Sequence, residues 1–183
     1  MASGVTRVIE RCDNAVESEY LDLSECELMN MPDAVFHLMR NTVIRGCNLS
    51  HNVITKIPAK LPLKFSIITE LNLSHNRLGK LPDELKELHS LEKLNISHNA
   101  FLSMPNAIYQ LAQLKELNAE KNFIEDVDLN RLKGQQTLES VDLRENPLIR
   151  QIRSSLEGIT SVRILVSPIV TEEWELIPGG EES

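Results

Sequence analysis

Residues 68–91 read ITELNLSHNRLGKLPDELKELHSL, and residues 91–114 read LEKLNISHNAFLSMPNAIYQLAQL. The second stretch is the first moved along by 23 positions, with corresponding apolar sites and the same Ser-His-Asn triplet. Outward from this pair the asparagine recurs at Asn52, Asn76, Asn99, Asn122 and Asn146, with gaps of 24, 23, 23 and 24 residues. Apolar residues stand five and three positions before each one, and usually two after. A fixed period in this range is the signature of a solenoid. No single unit can bury its own apolar stripe, so neighbouring units must stack.

Six units align on the asparagine. They are Leu21, Leu23, Cys26, Leu28; Ile44, Cys47, Leu49, Asn52, Ile54; Ile68, Leu71, Leu73, Asn76, Leu78; Leu91, Leu94, Ile96, Asn99, Phe101; Leu114, Leu117, Ala119, Asn122, Ile124; and Leu138, Val141, Leu143, Asn146, Leu148. The Leu-x-Leu alternation has period two, so both leucines face inward from a short strand. Stacked units then pair in parallel about 4.8 Å apart. At the asparagine the chain turns inward, where backbone groups lose water. A buried amide can serve donors and acceptors of adjacent turns, which predicts a ladder. Cys26 replaces the asparagine in the first unit, where the ladder is expected to be weaker.

The return segments are regular as well. Leu81-Pro82, Leu85, Leu88 and Leu91 are matched by Met104-Pro105, Ile108, Leu111 and Leu114, with earlier versions at Met31-Pro32 and Ile57-Pro58. Apolar spacing of three predicts short α or 3₁₀ turns on the convex side. Proline suits their first turn, and Asp33 and Asp83 suit the helix dipole. The fifth unit carries Val127, Leu129 and Leu132 without proline, so its return path should differ. Units one and two are longer, and their extra residues are expected to bulge near Arg40-Asn41 and Leu61-Pro62-Leu63. Val5, Val8, Ile9, Cys12 and Val16 recur at helical spacing, predicting an amphipathic helix over about 4–17 that caps the first strand. Leu156, Ile159, Val162 and Leu165 continue the spacing without another asparagine and predict a final strand. Trp174 is expected to fold back over that end, with a disordered tail from Gly179.

Net charge is −8 and there is no basic block, which argues against binding nucleic acid through its phosphates and weakly favours basic or neutral partners. No apolar run reaches the roughly 18 residues of a membrane span, and the first residues lack a signal-peptide core. Cys12, Cys26 and Cys47 form no C-x-x-C pair, and Cys26 and Cys47 read as small buried residues. The sequons at Asn48, Asn72 and Asn95 fall on the repeat strand, where a glycan on every unit would crowd its neighbours. The expected location is the cytoplasm or nucleus, without secretion.

The L-x-x-L-x-L-x-x-N-x-L pattern resembles the leucine-rich repeat family over about residues 19–168. The Leu-Pro-x-x-Leu-x-x-Leu return resembles its cytosolic branch, which includes Ras-binding and Scribble-type repeat proteins. The resemblance implies an α/β leucine-rich repeat solenoid. This is a right-handed curved horseshoe with a parallel concave sheet, about six repeats plus a terminal strand, and a helical N-terminal cap. The implied organisation is an N-terminal capping helix at 1–18, repeats at 19–168, and a C-terminal cap with acidic tail at 169–183. Similarity to the small repeat light chain of ciliary dynein suggests an alternative, a structural subunit of a cytoskeletal or motor complex. Acidic nuclear repeat proteins are a further one.

Function in such a scaffold is expected on the concave sheet. One column there is Asp22, Asn48, Asn72, Asn95, Asn118 and Asp142; the next is Ser24, Ser50, Ser74, Ser97, Glu120 and Arg144; the third is Glu25, His51, His75, His98, Lys121 and Glu145. The residues taken as partner-binding are Asn48, Ser50, His51, Asn72, Ser74, His75, Asn95, Ser97, His98, Asn118, Glu120, Lys121, Asp142 and Arg144. Charge gathers at the ends of the sheet, at Glu19, Asp22 and Glu25 and again at Lys115, Glu116, Glu120, Lys121, Glu139, Asp142, Arg144 and Glu145. The histidine column invites a metal or a pH response, but a flat ladder does not converge as a tetrahedral site requires. Neither a nucleophile elbow nor a glycine-rich phosphate loop occurs. The expectation is a non-enzymatic, monomeric protein–protein interaction module without catalytic residues, cofactor or metal. Its partner is another protein, not nucleic acid or membrane.

Overall fold

The computed structural model describes residues 4–168. Seven three-residue strands, β1 (Tyr20–Asp22), β2 (Gly46–Asn48), β3 (Glu70–Asn72), β4 (Lys93–Asn95), β5 (Glu116–Asn118), β6 (Ser140–Asp142) and β7 (Arg163–Leu165), form one parallel sheet in sequence order. The register stacks Leu21, Cys47, Leu71, Leu94, Leu117, Val141 and Ile164 in one inward column. The second inward position, Leu23 to Leu143, is buried in every unit. Together these columns make the solenoid core that the period-two alternation predicts.

The ladder is present in full. Asn99 donates through Nδ2 to the carbonyls of Leu73 at 2.9 Å, Ile96 at 3.1 Å and Ser97 at 3.1 Å, while its Oδ1 accepts from Leu78 N–H at 2.9 Å. Asn52, Asn76, Asn122 and Asn146 repeat the arrangement. Each amide therefore joins its own turn to the unit before it. Asn52 reaches back to the Leu23 carbonyl and accepts from both Cys26 and Leu28 N–H. An asparagine at position 26 would have no earlier repeat to reach, so the buried Cys26, whose thiol meets only the Ser24 carbonyl in its own turn, costs the ladder little.

On the convex side, units one and two return through helices α2 (Asp33–Leu38) and α3 (Lys60–Lys64). Their extra residues let Phe36 and Phe65 stack at 5.6 Å. Units three and four return through 3₁₀ turns, Asp83–Glu87 and Asn106–Gln110, each started by a proline. The fifth unit, lacking proline, forms α4 (Leu129–Gly134) instead, with the Asp128 carboxylate capping Arg131 N–H at 3.0 Å. Tyr109 ties it to the preceding unit, since its hydroxyl accepts from Asp128 N–H and the Arg131 guanidinium lies 4.5 Å over its ring.

Two expectations need correction. The N-terminal helix α1 (Gly4–Ser18) packs on β1, but the face it buries is Val8, Cys12 and Ala15. Val5, Ile9 and Val16 are 71%, 45% and 56% exposed. Alanine is small enough to let the helix approach the strand closely, and hydropathy alone does not mark it as the inner position. At the other end, Leu156 belongs to α5 (Arg150–Glu157), and β7 begins only at Arg163. The expected C-terminal cap around Trp174 and the acidic tail lie outside the described residues.

Candidate functional site

The outward face of the sheet carries an open groove of about 420 Å³ lined by residues of β3 to β7, from Glu70 to Leu165. Strand geometry sets its floor: the residues before and after each inward leucine both point outward. Two columns result. One is Asp22, Asn48, Asn72, Asn95, Asn118, Asp142 and Leu165; the other is Tyr20, Gly46, Glu70, Lys93, Glu116, Ser140 and Arg163.

The first of these columns is partly committed to the fold. Asn48, Asn72, Asn95 and Asn118 each accept, through Oδ1 at 3.0 Å, the N–H of the residue two positions on. Asp22 and Asp142 do the same with carboxylates. These short-range bonds close the turn that leaves the strand. The amides remain half-buried at the groove floor, with the rest of their surface available.

The serines lie elsewhere. Ser50, Ser74 and Ser97 are only 5%, 5% and 4% exposed and sit beneath the surface. The strand ends two residues earlier, and the chain is already turning inward there. Glu120 and Arg144, at the equivalent position of later units, stay accessible and form a chain in which Arg144 meets Asp142 at 2.6 Å and Glu120 at 3.7 Å.

The third column is made of turn residues. Glu25, His51, His75, His98, Lys121 and Glu145 all have φ between 52° and 55°, a left-handed conformation that non-glycine residues seldom adopt. The turn is identical in each unit, so the side chains leave it in parallel. The His51 and His75 rings stack at 4.1 Å, and the His75 and His98 rings at 3.9 Å, with interplanar angles of 13° and 23°. Imidazole lone pairs lie in the ring plane, so near-parallel rings do not aim at one point. Among the described residues no cluster of three or more His, Cys, Asp or Glu side chains is arranged to hold a metal. Burial lowers the His75 pKa, and His98, His51 and Lys121 lower it further.

Missed by the sequence reading is the column before the inward leucine, above all Tyr20, Gly46, Glu70, Lys93 and Arg163. The signal was available, because period two places that residue on the same face as the one after the leucine. Two ion pairs cross strands here: Lys93 with Glu116 at 3.1 Å, and Lys115 with Glu92 at 2.9 Å in the adjoining row. At the N-terminal end Arg45 meets Glu19 at 2.6 Å and Arg11 meets Asp22 at 3.0 Å. The thiols take no part: Cys12, Cys26 and Cys47 are free and buried, and burial pushes Cys12 up to about 11 and Cys47 up to about 12.

A stacked parallel sheet, an internal asparagine ladder and short convex turns define a leucine-rich repeat solenoid, and the chain belongs to the leucine-rich repeat family. The family's sequence profile matches residues 43–101 and 68–124. Leucine-rich repeat-containing protein 20 of Mus musculus is 36% identical over 172 residues, covering 92% of this chain and 94% of the relative. Its Homo sapiens counterpart is 37% identical over the same lengths. Among solved structures, a leucine-rich repeat protein of Leptospira interrogans superposes with a TM-score of 0.66 at 25% identity, over 75% of this chain and 34% of that one. An internalin of Listeria monocytogenes gives 0.59 at 21% identity, over 76% of this chain and 42% of its own, a likeness of fold alone. Among the described residues no helix is long and apolar enough to cross a membrane.

Proposed function

We propose that this chain is a non-enzymatic protein–protein interaction module that holds its partner on the concave sheet. Leucine-rich repeat domains generally act as interaction modules. The observation that carries the reading is the groove. Its lining comes from the sheet alone, and among the described residues no helix or convex turn contributes to it. The floor is polar and regular, with half-buried Asn72, Asn95 and Asn118 beside the charged row of Glu70, Lys93 and Glu116. Such a surface suits an extended segment or a helix laid along the sheet, where charge complementarity fixes register. The contact surface comprises Asn48, Asn72, Asn95, Asn118, Asp142 and the accessible His51, His75, His98, Glu120, Lys121 and Arg144, together with the row from Tyr20 to Arg163. The proposed location is intracellular and the proposed state is a monomer.

The test is affinity purification with mass spectrometry, comparing the native chain with a Glu70→Arg, Lys93→Glu, Ser140→Arg variant. These side chains point away from the core, so circular dichroism should report an unchanged fold. Loss of a reproducible partner set in the variant is expected. An unchanged set would move the contact to the convex side or to α1.

A further inference from the structure

The N-terminal third of the concave face holds a feature that the regular repeat does not require. Gly46 is the one glycine in the outward columns, and Tyr20 on the neighbouring strand fills the space it leaves. A Cβ on residue 46 would stand 2.3 Å from Cδ2 and 2.6 Å from Cε2 of the Tyr20 ring. The tyrosine thus leans across β2 towards β3, with 36% of its surface still exposed. The register sets Tyr20, Gly46 and Glu70 side by side on three strands, and burial, then the Glu70 carboxylate, push the phenol up.

Glu70 is itself exceptional. The strands carry four carboxylates, and three are in salt bridges: Asp22 with Arg11, Glu116 with Lys93, and Asp142 with Arg144. Glu70 makes no salt bridge among the described residues. The cations nearby are engaged elsewhere, Arg11 with Asp22, Arg45 with Glu19 and Lys93 with Glu116. An exposed aromatic surface therefore adjoins a carboxylate that faces Lys93 across the β3–β4 register but makes no salt bridge of its own among the described residues, in a chain of net charge −8. Tyrosine is favoured at the energetic centre of interfaces because it supplies rigid apolar area beside a polar tip. Long basic side chains complement such a pair, with their methylenes on the ring and their charge on the acid.

We infer that Tyr20, Gly46 and Glu70 form a seat for a lysine or arginine side chain of the protein partner. This rests on the concave face being the contact surface, and it adds the chemistry of one anchor. Gly46 lets the ring lie down, Tyr20 carries the aliphatic stem, and Glu70 receives the ammonium or guanidinium group.

The test is a nuclear magnetic resonance titration of the full chain with acetyl-Gly-Arg-Gly-amide, using acetyl-Gly-citrulline-Gly-amide as the neutral control. The seat predicts saturable shifts of the Tyr20 ring and Glu70 carboxylate signals with the arginine peptide only. Glu70→Gln should weaken binding about two- to fivefold, the range an exposed ion pair supplies. Gly46→Ala, which lifts the ring without touching the acid, should weaken it too. Equal shifts with the citrulline peptide, no saturable shift, or unchanged affinity in Glu70→Gln would each overturn the seat. If the peptide leaves both residues unmoved while the three concave substitutions still abolish partner capture, the seat is wrong and the face stands.

Discussion

Asparagines of two kinds stand four positions apart in units two to five, and they differ in what their removal should cost. Asn99 is buried and satisfies backbone groups of adjacent units, so Asn99→Ala leaves carbonyls and an N–H without water or partner. Urea unfolding should show a loss of about 2–3 kcal/mol. Asn95 closes only its own turn, at the wet floor of the groove, and Asn95→Ala should cost about 1 kcal/mol or less. A histidine on the adjoining turn carries a different signal. Because the folded pKa of His75 lies below its ordinary value of 6.5, the unfolded chain binds more protons as pH falls. This contribution to stability is complete above about 6.5 and is lost as pH drops through the folded value. Melting temperature should fall as the pH drops below about 6.5, and His75→Asn should flatten that slope. The cysteines should be silent: with Cys12 and Cys47 held near 11 and 12, iodoacetamide at neutral pH should label the native chain far more slowly than the unfolded one. Residue roles were only partly legible in the sequence. The ladder was, because its period is fixed by chain geometry. The burial of Ser50, Ser74 and Ser97 was not, because the column looks outward until the strand is known to end at the asparagine before it.

Strand positions were read correctly from period two, since every unit must present the same two residues to one core. The convex segments were legible as short turns, and the missing proline marked unit five as different, but proline does not choose the helix type, since it precedes α2 and α3 as well as the 3₁₀ turns of units three and four. Helix α1 was legible as an element but not in its orientation. Val5, Ile9 and Val16 form as good a stripe as the buried face does, and the choice falls to the set whose small Ala15 fits against β1. That choice has a measurable consequence. Val8→Ala should destabilise the fold by about 1–2 kcal/mol through lost burial, whereas Ile9→Ala should change it by less than about 0.5 kcal/mol. Equal effects of the two substitutions in thermal unfolding would contradict the observed packing of the helix.

Over the whole molecule, a solenoid separates stability from recognition. The core and the ladder are closed within the stack, so the sheet's outer face is free to vary without loss of fold. That is why sequence alone reaches the architecture and then stops short of the anchor: the Tyr20–Gly46–Glu70 arrangement joins three strands, and only the register brings those residues together. The central claim is that the partner lies on the concave face. Carboxyl footprinting of the chain, alone and in complex with a captured partner, tests it directly. The account predicts that Glu70 and Glu116 lose reactivity in the complex while Asp83 and Asp126 on the convex side keep theirs. Protection of Asp83 and Asp126, with Glu70 and Glu116 unchanged, would contradict it.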